Sequence, residues 1–247
     1  MKYLLLACTL ICFGGTLSAQ SAFEDDYTKE FTYGIGINTN GGFPSSAFFR
    51  YGRIKNARAN ETFGIEIAQL RHPKEQRVNS IYSGGLPFIF GKQTDVFCFR
   101  PQYGREGILF RKASQEGVQV NVVVAGGPTL ALLKPYMILY NFSSDPRSTL
   151  FVREVPYDPL TQEFTRIYGR GNFFSGWDRT SLAVGFNVKL GLSFEVSAFK
   201  KVLTGIEAGF TYEYFDRTIE ILNDTNGVEN FRDFTAAYLT FFLGHRK

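Results

Sequence analysis

Between Leu182 and Val196 the chain alternates without a break. Leu182, Val184, Phe186, Val188, Leu190, Leu192, Phe194 and Val196 are apolar. Ala183, Gly185, Asn187, Lys189, Gly191, Ser193 and Glu195 between them are small, polar or charged. That is period two, sustained well beyond the roughly 5–6 residues of an ordinary strand. After a turn expected at 200–202 the pattern resumes, with Ile206, Ala208, Phe210, Tyr212 and Tyr214 opposed to Gly205, Glu207, Gly209, Thr211 and Glu213. The two runs predict a long β-hairpin with one greasy face and one polar face. A soluble sandwich buries such a greasy face in its core, whereas a membrane barrel turns it to lipid.

Six further segments read as strands with the same period: 30–39, 46–54, 62–71, 94–103, 118–132 and 234–243. Gly126-Gly127-Pro128 interrupts the fifth strand in chain order. Proline cannot donate to a ladder, so a bulge or an early strand end is expected there. The connections at 55–61, 104–117 and 200–202 are shorter than three of the four alternate ones, at 40–44, 72–93, 133–180 and 216–233. Long loops at alternate connections and an even strand count are the signature of an outer-membrane barrel. The predicted fold is therefore all-β, an eight-stranded antiparallel up-and-down transmembrane barrel with long extracellular loops. The 133–180 loop is too long for a bare connection and is expected to extend the wall.

The N-terminus fits that placement. Lys2, the apolar run 3–13 and the small residue Ala19 read as a signal peptide, residues 1–19, removed before Gln20. Leu5–Cys8 resembles a lipidation box, but too little apolar chain precedes Cys8. The barrel domain is then 20–247. No other apolar run reaches the roughly 18 residues of a membrane helix. After cleavage Cys98 is the one cysteine left, which leaves no intrachain disulfide and no thiolate metal cluster. The load of 26 Phe and 13 Tyr against 2 Met and 1 Trp suits aromatic girdles. The formal net charge of +4 is spread out, with no basic stripe for nucleic acid.

The polar faces carry Arg50, Glu66, Arg100, Lys189, Glu195, Glu207 and Glu213. A turn at 200–202 sets Lys189 opposite Glu213, an attractive pair. It sets Glu195 opposite Glu207, two carboxylates that need a cation or a shared proton. Such charges form either an ion path or a polar plug, and buried charges that persist are paired ones. The lumen of eight strands is narrow enough for side chains to fill. In the long loop Tyr157, Arg166, Tyr168, Arg170, Phe174 and Trp177 are the residue types that anchor protein partners, or that pack a loop on itself.

Candidate catalysis is sparse. His72 with Ser80 or Ser83 and Glu75 is the set from which a lipid-modifying enzyme would be built at the outer rim. No nucleophile elbow, P-loop or zinc-protease helix motif is present. Gly34-Ile35-Gly36 lacks the third glycine of a dinucleotide loop, and Asp145-Pro146 and Asp158-Pro159 are turn formers. No metal and no cofactor is expected.

With its leader, eight Phe/Tyr-rich amphipathic strands and long outer loops, the chain resembles the small PorT-type outer-membrane barrels over 30–247. The segments 72–75 (HPKE) and 100–112 (RPQYGREGILFRK) look like family signatures. The tail Gly244-His245-Arg246-Lys247 departs from barrels that end in an aromatic residue. The resemblance implies an integral, monomeric outer-membrane protein, and some of that family serve type IX protein secretion. The expected role is non-enzymatic, through the outer loops, as a scaffold, adhesin or subunit of an envelope complex. The expected partners are outer-membrane lipid, lipopolysaccharide and envelope proteins. The alternatives are a narrow channel and a lipid-modifying enzyme using His72. N-terminal sequencing of the exported protein should begin at Gln20; a start at Met1 contradicts the leader.

Overall fold

A computed structural model of the chain describes residues 28–56, 59–111, 117–143, 151–196, 202–223 and 228–247. The expected leader lies outside these residues. Eight strands close a barrel: β1 (Lys29–Asn38), β2 (Gly42–Asn56), β3 (Ala59–Leu70), β6 (Thr94–Phe110), β7 (Gln119–Pro135), β11 (Ser181–Glu195), β12 (Val202–Phe215) and β13 (Asp233–Arg246). Each pairs antiparallel with its neighbours in sequence, and β1 closes on β13. The intervening short strands β4 (Arg77–Val78), β5 (Phe88–Ile89), β8 (Met137–Asn141), β9 (Val152–Pro156) and β10 (Ile167–Arg170) stand at the loop end. There β10, β8 and β9 form a three-stranded sheet, and β4 pairs with β5. Among the described residues no helix is long and apolar enough to cross a membrane.

The distribution of burial is inside out. On β11, Leu182, Val184, Phe186, Val188, Leu190 and Leu192 are exposed, while Ala183, Asn187, Lys189, Ser193 and Glu195 are buried. The same parity holds on β3, where Ile65 and Ile67 face outward and Glu66 inward. Soluble monomers rarely expose contiguous apolar patches beyond about a few hundred Å². This one continues onto every barrel strand, so the barrel requires lipid around it. Leu182 to Phe194 is about 40 Å of strand at ~3.3 Å per residue. Tilted by ~45° it rises about 28 Å, close to the ~25 Å apolar band of a membrane barrel. Tilt thus accounts for strands that are long relative to the bilayer.

Four sequence expectations change. First, β7 does not break at Gly126–Pro128. It runs on to Pro135, and its ladder with β11 holds register through Phe186 opposite Pro128. With β6 the pairing lapses after Phe99–Leu130 and resumes at Tyr103–Gly126 in the same register. Pro101 therefore stands opposite Pro128, and two residues without N–H leave a gap in the ladder and not a bulge. Second, β6 continues past Tyr103 to Phe110, pairing Arg105 with Val124. Gly104 and Gly107 blur the alternation there.

Third, the β11–β12 register differs by two residues. Lys189 stands opposite Thr211 and not Glu213, and Glu195 opposite Gly205 and not Glu207. A shift of two keeps every side chain on its own face, so alternation alone cannot detect it. Fourth, the 216–233 connection is not simply an outer loop. Ile219, Ile221 and Leu222 turn down into the mouth and pack on the inward-facing Leu70, Val96, Cys98, Ala131, Ala183, Phe215 and Phe234. The backbone is pinned there by Gln93 N–H donating to Ile221 O (2.9 Å) and Asn223 N–H to Gly91 O (2.8 Å).

Candidate functional site

Two regions place polar chemistry where it can act: the lumen and the loop end. The lumen is crossed by charge layers. At the short-turn end Arg246, on β13, bridges Glu195 on β11 (3.0 and 2.6 Å) and Glu30 on β1 (3.2 Å). Nearby, Glu106 accepts from the Asn121 amide (2.6 Å), whose carbonyl accepts from Gln119 (3.0 Å). At mid-height Glu207 takes Arg50 (2.9 Å), Lys189 (3.0 Å) and the Tyr238 hydroxyl (2.9 Å). Above it Arg100 forms a two-pronged bond to Glu213 (2.8 and 2.7 Å) and reaches Glu66 (3.3 Å). The other oxygen of Glu66 has no hydrogen-bond partner among the described residues, but the Lys189 ammonium stands 4.0 Å from it. Asn187 ties Gln102 of β6 (2.7 Å) to Gly127 O, Pro128 O and Thr129 of β7. The apolar plug of Ile219, Ile221 and Leu222 caps this stack.

The structure thus places Arg50, Glu66, Arg100, Lys189, Glu195, Glu207 and Glu213 inside the barrel; Glu66 and Arg100 pair across neighbouring strands, while Lys189 does not pair with Glu213. Glu195 and Glu207 are separate: each has its own cation, so no shared proton is required. Lys189 serves Glu207 and Glu66, and Glu213 serves Arg100. Sequence reasoning missed Arg246, Glu30, Tyr238 and Asn187. Arg246 lies one period beyond Gly244 on the inward parity of β13, but the segment reads as a tail. Glu30 was legible on the face of Thr32 and Gly34.

At the loop end a small apolar core joins the short strands: Phe88, Tyr136, Ile138, Tyr140, Tyr157 and Ile167 are buried together. β8 carries the line of β7 beyond the belt, so the wall itself supports this module. The Tyr136 hydroxyl accepts from Ile89 N–H (3.1 Å), and burial pushes its pKa up to about 12. Burial likewise raises that of Tyr157. Tyr157 was expected as a partner contact; it is instead a core residue, edge-on to Phe88 and Tyr136. Arg166 pairs with Glu163 (3.2 Å) and Tyr168 lies against Tyr82. Arg170, Phe174 and Trp177 are exposed.

The histidine set does not assemble as a triad. His72 is buried and stacks on Phe231. Its Nδ1 accepts from Lys74 N–H (3.1 Å), so Nε2 carries the proton and donates to Glu229 O (3.1 Å). Ser80 donates to Ile167 O (2.9 Å), and Glu75 binds Lys92 (2.9 Å). Both ring nitrogens serve backbone, which suits a strut. Among the described residues no group of three or more His, Cys, Asp and Glu is placed to hold a metal ion.

No family model and no curated protein sequence matches the chain. Among solved structures it is similar to Neisserial surface protein A, with 10% identity, 90% of this chain and 97% of that chain covered, and a TM-score of 0.41. It is also similar to Ail, the attachment invasion locus protein of Yersinia pestis, with 11% identity, coverage of 89% and 97%, and a TM-score of 0.34. At these values the membrane-barrel class rests on the closed sheet and its inverted burial.

The buried pairs set a stability test. Removing one partner of a buried ion pair typically costs about 3–5 kcal/mol, because the other charge is stranded. Arg100→Met, which strands Glu213 and Glu66, should lower the urea midpoint of the detergent-folded barrel accordingly. Adding Glu213→Gln should recover part of the loss. Lys55→Met, at the exposed Lys55–Glu61 pair, should cost at most about 1 kcal/mol. Equal effects of Arg100→Met and Lys55→Met would contradict a network that holds the wall.

Proposed function

We propose that this is a monomeric, non-enzymatic outer-membrane barrel that works through its loop module as a scaffold, adhesin or subunit of an envelope complex. The observation that carries this reading is the contrast between the two ends of the chain's chemistry. The lumen spends its charges on one another and is capped by Ile219, Ile221 and Leu222. The loop end builds a supported sheet and then leaves Ile81, Leu160 and Phe164 exposed on it. A loop with its own core presents a fixed surface, which lowers the ordering cost of binding. The leader expected at 1–19 supports the outer-membrane placement, with the loops outside the cell. The finer form of this reading, supported by the resemblance to PorT-type barrels, is a component of protein secretion.

The test is site-specific photo-crosslinking in intact envelopes. Probes at Leu160 and Ile81 should capture the same protein, and a probe at lipid-facing Leu190 should not. Recovery of no protein from either loop position contradicts the scaffold reading. In planar bilayers the purified barrel should show no stable conductance steps; their appearance would favour a narrow channel instead.

A further inference from the structure

Beside the loop module lies a cleft of about 650 Å³. One of its walls is the outside of the barrel. Gln69, Asp95 and Lys134 line it and share the parity of the lipid-facing Ile67, Phe99 and Leu132. The other wall comes from the module, including Arg77, Phe88, Met137, Glu154 and Arg170. The cleft therefore opens on the flank of the barrel and not on its lumen.

Its charge is unbalanced. Arg71 donates to the Gln69 amide (2.8 Å) and has no carboxylate partner among the described residues. Arg77 and Arg170 are exposed and make no ion pair among the described residues. The acids lining the cleft, Asp95 and Glu154, pair with none of these arginines among the described residues. Asp95 is shared by Lys92 (3.1 Å) and Lys134 (3.5 Å). Glu154 accepts from Asn172 N–H (2.5 Å) and Ser175 (2.8 Å). Three guanidinium forks are thus left over for an anion, and the fork matches phosphate oxygens in pairs.

The height of the cleft selects the source of that anion. Gln69 and Asp95 lie two residues above Ile67 and Phe97, about 7 Å along a strand and about 5 Å along the membrane normal. The headgroup layer is about 5–8 Å deep on each side of the hydrocarbon. The cleft floor is therefore level with lipid headgroups. An apolar path also leads out of it. Phe173 lines the cleft and packs on Phe97 (5.7 Å between rings), Phe174 (5.4 Å) and Trp177 (6.0 Å). Trp177 stacks on Phe97 as well (5.6 Å). Phe97 pairs with Leu132, and Leu132 with Leu182, both part of the belt. Phe174 is 79% exposed at the free edge of this cluster. Lys134 points outward beneath these rings, 5.3 Å from the Phe173 centroid, so the aromatic turn lies against the outside of the wall.

We infer that the cleft is a lateral site for the phosphorylated headgroup of an outer-leaflet lipid. Arg71, Arg77 and Arg170 take the phosphate, and the acyl chains run past Phe173, Phe174 and Trp177 onto the belt. This rests on the outer-membrane placement proposed above. A volume of this size holds a sugar with its phosphate, within the usual range of about 300–1,000 Å³ for ligand sites.

Trp177 is the single tryptophan of the chain and reports directly on the site. The barrel is placed in nanodiscs of a phosphate-free galactolipid doped with bisphosphorylated lipid A or with its dephosphorylated form. A saturable change in Trp177 emission is expected with the phosphorylated lipid alone. The Arg71→Gln/Arg170→Gln variant should weaken the apparent affinity about tenfold or more. Arg53→Gln, at the opposite end, should leave it unchanged. Equal responses to both lipids, or an unaffected double variant, overturn the inference. Saturation by millimolar inorganic phosphate with no further response to lipid shows a free-anion site and overturns it also. A barrel that crosslinks to envelope proteins but ignores lipid phosphate loses this inference and keeps the scaffold reading. One that binds lipid A but captures no protein does the reverse.

Discussion

A carboxylate that no water reaches sits in the middle of this barrel. Glu207 is 0% exposed and is held from three sides by Arg50, Lys189 and the Tyr238 hydroxyl. An isolated charge in such a place is prohibitively costly, so its partners have to be present together. They come from β2, β11 and β13, which the wall must bring around β12. The position of four strands is thereby linked through one side chain. Arg100 links β3, β6 and β12 in the same way, and Arg246 links β1, β11 and β13. Between them these three hubs touch seven of the eight barrel strands, and Asn187 ties β7 to the rest.

The wall is shaped around these contacts. Gly191 faces Gly209 across the β11–β12 ladder. A Cβ on Gly191 would collide with the Tyr238 hydroxyl, and one on Gly209 with the backbone of Leu190 and Gly191. The missing side chain of Gly191 therefore makes room for the tyrosine that completes the Glu207 site, and that of Gly209 lets the two strands approach. With the inward positions given to charges and glycine, the apolar positions are left for the outside. The lipid belt and the lumen network are consequences of one alternation. Lipid supplies the apolar environment on one side, and ion pairing satisfies the charges on the other.

That alternation made the faces legible in the sequence, and little beyond the faces. Lys189, Glu195, Glu207 and Glu213 could be assigned inward from parity alone. Their partners could not, because registers that differ by two residues leave parity untouched. Arg50 illustrates the same limit: it is near Glu66 in the chain, yet its partner is Glu207, three strands away around the closed sheet. The plug escaped notice because Ile219, Ile221 and Leu222 form too short an apolar run to carry a period. The core of the loop module is likewise assembled from Phe88, tyrosines and isoleucines in four separate segments. Tyr157 had the right chemistry for a contact, and only three-dimensional packing turned it inward.

The proposed function therefore lies at the loop end, where a supported surface and a basic flank remain available. The claim beneath that conclusion is a lumen closed from its charge layers up to its apolar cap. The chain contains its own probe. Cys98 is the one cysteine after the expected leader, and it is buried beneath Ile219, Ile221 and Leu222 in the mouth. The measurement is labelling of the folded barrel in lipid by a bulky, membrane-impermeant maleimide, with the urea-unfolded protein as reference. A closed lumen leaves Cys98 unlabelled until the barrel unfolds. Rapid labelling of the folded protein would mean an open mouth and would contradict the account.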